Sequence, residues 1–194
     1  MTGTNDKGSL LQVNEGKGRK ALATVVTTLM LLVASILISG VAIYYATNLV
    51  SVRLQSEEVR LAKTEVWVNS TGAVAALKVQ NLGGKDILID KLEVRGVEET
   101  WSTVYYYRVP EGTTITGSMN VTSYARLTGA NVTIDTRSYI QAAGDIPLGS
   151  GKELLMYIKG PDNVQLDDIG TTVSVSLGTS NSKYITECNV KSAT

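Results

Sequence analysis

Histidine and phenylalanine are missing altogether from this chain of 194 residues, and cysteine occurs once, as Cys188. Without histidine there is no Ser-His-Asp triad and no His/Cys metal centre. One cysteine cannot close an internal disulfide. Tryptophan is scarce at two copies, so most of the aromatic area falls to nine tyrosines, whose polar tips suit surfaces that neighbours contact. An excess of either charge is lacking too, since the formal net charge is zero. The first twenty residues hold Lys7, Lys17, Arg19 and Lys20 against Asp6 and Glu15, and the chain beyond Ala21 is slightly acidic. Phosphate binding needs a clustered basic surface, so nucleic acid is not an expected partner.

The chain does have a long apolar run. No charge occurs from Ala21 to Val52. As a helix, that run would reach about 48 Å, against a bilayer hydrocarbon core of about 30 Å. A secretory signal has an apolar stretch of only about 7 to 15 residues before a small-residue cleavage site. This run is too long for that. Basic residues on its N-terminal side predict the N-terminus inside and the rest outside a membrane. Leu29, Leu31, Leu32, Val33, Ile36, Leu37 and Ile38 leave no polar face, so lipid or protein must surround the helix. Thr24 with Thr28, and Ser35 with Ser39 beside Gly40, put small residues four apart. Such spacing lets helices approach closely, and is equally compatible with plain tolerance of Ser and Thr in membranes.

The stretch KGRKALATVVTTLMLLVASILISGVAIYYATNLV resembles the N-terminus of archaeal type IV pilins and the related archaellins, over about a fifth of the chain. The resemblance implies a basic leader cut by a membrane peptidase just before the apolar helix. Lys20, Ala21 and Leu22 match the processing pattern of a basic residue, Gly or Ala, then a hydrophobic residue. The implied cut falls between Ala21 and Leu22 and leaves the helix in the mature protein. One departure is Val26, at the fifth mature position, where bacterial pilins usually carry Glu; archaeal members commonly lack it. The domains expected are a cleaved leader over 1–21, a hydrophobic helix over 22–63 and an outer β domain over 64–194. The helix is expected to continue to about Lys63 through good helix formers such as Gln55, Glu57, Glu58 and Arg60.

Beyond that the period shifts from helical to two. TTVSVSLG places Val173, Val175 and Leu177 on one face and Ser174 and Ser176 on the other. AVAALKVQN alternates Leu77 and Val79 against Lys78 and Gln80, and KELLMYIKG is apolar on both faces, as in a central strand. DILIDKLEV changes phase between Ile89 and Leu92, which predicts a bulge near Asp90 and Lys91. In VYYYRV, Tyr105 and Tyr107 are expected in the core, with Tyr106 and Arg108 on the opposite face. Turn signals NLGGKD, VPEGTT, LGSGKE and KGPDN separate these runs. The fold class expected is α+β, a long hydrophobic helix followed by an antiparallel β-sandwich. The resemblance adds that the sandwich is immunoglobulin-like.

Candidate sites are few. Asn69 in NST and Asn120 and Asn131, each in NVT, are sequons that an exported chain could have glycosylated. GSGKE fails as a phosphate loop, because Ile146 and Glu153 stand where that pattern needs Gly and Ser or Thr. Asp162, Asp167 and Asp168 lack the spacing of an EF-hand loop and read as solvated loop residues. Cys188 reads as a small buried residue of a last strand. No constellation supports catalysis, and no cofactor or metal is expected. The function expected is that of a filament subunit. Leu29, Leu32, Ser35, Ile36 and Ser39 would pack its helix against identical subunits. The chain would sit in the membrane before assembly and in an extracellular surface filament afterwards, with the leader peptidase and pilus assembly machinery as partners. The alternative is a permanently anchored extracellular binding protein or minor pilin.

Overall fold

The structure is a computed structural model that describes residues 8–193, with side chains described for 19–51 and 56–193. It divides into two compact units, Met1–Val52 and Arg53–Thr194. The first part of the expected leader, residues 1–7, lies outside the described residues.

The N-terminal unit is helical. Helix α1 (Gly8–Gln55) runs without a break. Leu, Ala and Met favour it, and Val and Ile cost it only part of their χ1 freedom. The implied cut between Ala21 and Leu22 lies inside this helix. Its C-terminal end corrects the sequence-based expectation: α1 stops at Gln55 rather than near Lys63, and strand β1 (Val59–Asn69) has begun by Val59. Val59 and Leu61 pair across to Asn81 and Val79 of strand β2 (Gly72–Asn81). Val59 is buried in the core and Leu61 packs against it. A ladder with apolar burial outweighs the few tenths of a kcal/mol per residue of helix propensity.

The second unit is a β domain. After β2 come β3 (Ile87–Val94), β4 (Val97–Glu98), β5 (Val104–Arg108), β6 (Asn131–Ile134) and β7 (Arg137–Gln141). The last four are β8 (Ile146–Leu148), β9 (Glu153–Lys159), β10 (Thr172–Thr179) and β11 (Lys183–Ser192). They join in one eleven-stranded sheet in the order β4-β3-β10-β11-β1-β2-β9-β5-β7-β6, with β8 also on β3. The pairing is mostly antiparallel; β1 and β11 run parallel, from Val66 opposite Val190 to Val68 opposite Ser192. The expected bulge in β3 is present. Lys91 pairs with Gly178 and Ile89 with Thr179, so Asp90 is the extra residue.

The sheet curls, and its inner face wraps the main core. Leu77 and Val79 of β2, Leu154, Met156 and Ile158 of β9, Leu92 of β3, and Val173, Val175 and Leu177 of β10 meet there. A second core covers the outer face of β1, β2, β9 and β5. Trp67, Val74, Ala76, Tyr105, Leu155 and Tyr157 contribute from the sheet. Ile115, Met119 and Leu127 contribute from the 109–130 segment, and Val132 and Tyr139 from the β6–β7 hairpin. Strand β9 is therefore buried on both faces, as its unbroken apolar run requires. Tyr124 pins the covering segment by packing on two glycines. A Cβ on Gly160, whose φ is +62°, would lie 2.7 Å from its ring, and one on Gly72 equally close.

Candidate functional site

Among the described residues, most of the exposed large hydrophobic side chains lie on α1. From Leu22 to Val50 every large hydrophobic side chain of the helix is 48–70 % exposed. Leu29, Leu32 and Ile36, spaced to share one face, are exposed at 62, 59 and 61 %. The stretch Arg19–Ser51 is long and apolar enough to cross a membrane. Lys20, Ala21 and Leu22 are exposed on the helix surface.

The serine and threonine hydroxyls of this surface are satisfied from within. Thr24 Oγ1 donates to the Lys20 carbonyl at 3.0 Å, and Thr28 Oγ1 to that of Val25 at 2.9 Å. Thr27 donates to the Ala23 carbonyl. Ser35 Oγ reaches Leu32 O and Ser39 Oγ reaches Ser35 O, both at 2.8 Å. Thr47 donates to Tyr44 O at 2.9 Å and Ser51 to Thr47 O at 2.9 Å. Ser35 and Ser39 thus offer small volume rather than free donors. Along these residues the helix meets lipid or another apolar helix without a stranded serine or threonine hydroxyl.

The three sequons share a motif but differ in place. Asn69 ends β1 and is half-buried. Its Oδ1 accepts from the Thr71 N–H at 2.9 Å and the Thr71 hydroxyl at 2.6 Å, and among the described residues its Nδ2 has no hydrogen-bond partner. It lines a cleft of about 430 Å³ with Ser70, Thr71, Gln165, Leu166 and Asp167. Asn131 is exposed on the outermost strand β6, with Thr133 exposed beside it. Asn120 is exposed, but Thr122 of its sequon is buried at 3 %.

Of the loop carboxylates, Asp162 and Asp167 are exposed, whereas Asp168 is committed elsewhere. Its Oδ1 accepts from Arg95 Nη1 and its Oδ2 from the Gln165 N–H, both at 2.8 Å. The Gln165 amide first, and Arg95 second, hold its pKa below the usual carboxylate value. Among the described residues, no group of three or more His, Cys, Asp or Glu side chains could hold a metal ion. GSGKE forms the turn into β9, where the Ser150 N–H donates to Asp86 Oδ1 at 2.8 Å. Cys188 is half-buried in β11 rather than fully buried, and burial, with Glu65 adding, pushes its thiol up to about 11. At neutral pH it is an inert thiol. In β5, Tyr105 and Tyr107 face the second core while Tyr106 packs toward the first, with Arg108 Cζ 5.5 Å from its ring centroid.

Three features escape the sequence patterns. Lys78 of β2 is buried and paired with Glu153 at 2.8 Å. Lys63 sits at φ 53° in a bulge of β1 and donates to the Thr116 and Gly117 carbonyls of the covering segment. Glu99 hides Oε1 without a hydrogen-bond partner, and its carboxyl is pushed up to about 7 by burial first and Asp162 second. Only the phase break of β1 between Leu61 and Val66 marks the bulge beforehand.

No model of a known protein family matches the chain, and no curated protein matches it either.

Proposed function

We propose that the chain is a structural subunit of a cell-surface filament of the archaeal type IV pilin or archaellin kind. It is inserted in the membrane as a precursor and processed between Ala21 and Leu22. It then polymerises through its helix, with the β domain, a sandwich-like head, turned outward. The observation that carries this reading is a helix exposed on all sides with its serine and threonine hydroxyls turned back on its own carbonyls. The uncharged run spans about 48 Å, more than a bilayer core of about 30 Å can cover. Identical copies provide the cover that lipid does not. Apolar burial is worth about 25 cal/mol per Å² wherever the helix leaves water. Head-to-tail contacts that do not close generate an open fibre.

Mass spectrometry of the mature N-terminus tests processing. A start at Leu22 is expected, and retention of residues 1–20 points instead to a permanently anchored binding protein. Electron microscopy of sheared surface material tests assembly, with fibres built from this chain expected. Chain that stays dispersed in detergent and never enters a fibre overturns the proposal.

A further inference from the structure

The polar groups of α1 divide it in a way the apolar run does not reveal. Every Ser and Thr hydroxyl from Thr24 to Ser51 donates to a carbonyl of the same helix. The remaining polar side chains of the run are Tyr44, Tyr45 and Asn48. Among the described residues none of the three has a hydrogen-bond partner, and all three are exposed, the tyrosines at 70 and 68 %. They fall within about one turn of one another. An unsatisfied amide or phenol in hydrocarbon is costly, whereas a headgroup layer supplies water and ester or phosphate oxygens. At the other end stand Arg19 and Lys20, both exposed.

The spacing of these ends matches one bilayer. Lys20 to Tyr44 is about 36 Å along a helix, close to a hydrocarbon core of about 30 Å plus the reach of a snorkelling lysine. Tyrosine rings settle at the membrane–water boundary for the same reason they suit any half-wet surface.

Resting on the membrane-precursor reading above, we infer that Tyr44, Tyr45 and Asn48 form the outer headgroup anchor of α1. Lipid covers Ala21 to Ile43, and the apolar residues from Ala46 to Val50 stand clear of the hydrocarbon. The partner is a phospholipid bilayer, gripped between a basic inner end and a phenol–amide outer end. Leu49 and Val50, 60 and 58 % exposed, lie beyond the lipid, so they need another copy of the chain for cover.

Cysteine scanning of the full-length, unprocessed chain tests this register. The background is Cys188→Ser, and single variants Ile38→Cys, Val41→Cys, Thr47→Cys and Val50→Cys are placed in phosphatidylcholine–phosphatidylglycerol vesicles. A membrane-impermeant maleimide reports access to water. Thr47→Cys and Val50→Cys are expected to react more than about tenfold faster than Ile38→Cys and Val41→Cys, because the reacting thiolate is confined to water. Replacing both tyrosines by leucine should move the boundary outward and slow Thr47→Cys. These positions are exposed on the helix, so the β-domain fold is not at stake, and circular dichroism checks the helix. Protection that extends through Val50→Cys, a boundary short of Val41, or a boundary unmoved by the tyrosine replacements overturns the register while leaving membrane insertion standing. Rapid labelling at all four positions overturns the membrane reading together with it.

Discussion

Glu99 follows strand β4 at the sheet edge, where its N–H bonds to the Leu92 carbonyl and its carboxyl has one oxygen sealed from solvent. Burial, with Asp162 adding, raises its pKa from 4.5 to about 7. The folded state therefore holds this proton more tightly than the unfolded chain does. The resulting stabilisation is complete below pH 4.5 and disappears as pH rises through about 7. Glu99→Gln should flatten that segment of the stability–pH curve. At pH 8 it should raise stability by on the order of 1 to 2 kcal/mol after discounting for partial solvation. Urea unfolding of both proteins at pH 5 and pH 8 checks the sign, and parallel curves count against it. Lys78 makes a second case. Its ammonium is buried beside Glu153, so Glu153→Ala should cost about 2 to 4 kcal/mol by stranding the charge, while Lys78→Met should cost less. Thermal unfolding of the pair of variants decides. Among the sequons, glycopeptide mass spectrometry is expected to find any glycan on Asn69 or Asn131 and none on Asn120. The buried Thr122 hydroxyl is closed to a transferase that acts on the folded chain.

At the scale of elements, the covering segment and the junction after α1 are where tertiary contacts govern. Leu127 is fully buried in the second core. Leu127→Ala should therefore destabilise the β domain by about 2 to 5 kcal/mol, read as a lower urea midpoint with an unchanged slope. A merely decorative loop would leave the midpoint in place. Just after the helix, the Leu82 and Gly83 amides donate to the Glu58 carbonyl at 2.8 and 3.0 Å. Asn181 Nδ2 reaches Glu57 Oε2 at 2.9 Å. A Cβ on Gly83 would lie 2.6 Å from the Ser56 carbonyl and 2.7 Å from the Glu58 nitrogen. Backbone cannot yield there cheaply, so Gly83→Ala should cost about 1 to 3 kcal/mol. Faster hydrogen exchange at the Leu82 amide would accompany it. Strand alternation at TTVSVSLG and the two-faced run of KELLMYIKG were legible beforehand because burial repeats with the strand period. The extent of β1 was not. Arg60 and Lys63 are also good helix formers, and only pairing with β2 decides for strand.

On the scale of the whole molecule, the two buried clusters draw their residues from Val59 to Ala193. The β domain thus contains its own core. A chain shortened to residues 56–194 should be soluble and monomeric and unfold cooperatively, as sedimentation and calorimetry would register. The full chain should require detergent, lipid or assembly. Aggregation of the shortened chain would count against a self-contained β domain.

Composition and periodicity alone determined that a long uncharged helix precedes a strand-rich domain, since charge exclusion and a period of two are local properties of the chain. They also placed a bulge near Asp90 and Lys91, because a phase change in the apolar pattern is written in consecutive residues. Tertiary structure alone decided where the helix ends, that the strands join in one curled sheet, and that the 109–130 segment covers its outer face. It also decided that Glu99 turns a carboxyl away from water and that Lys78 finds Glu153. Each of those outcomes depends on partners far apart in sequence, whose meeting no local pattern encodes.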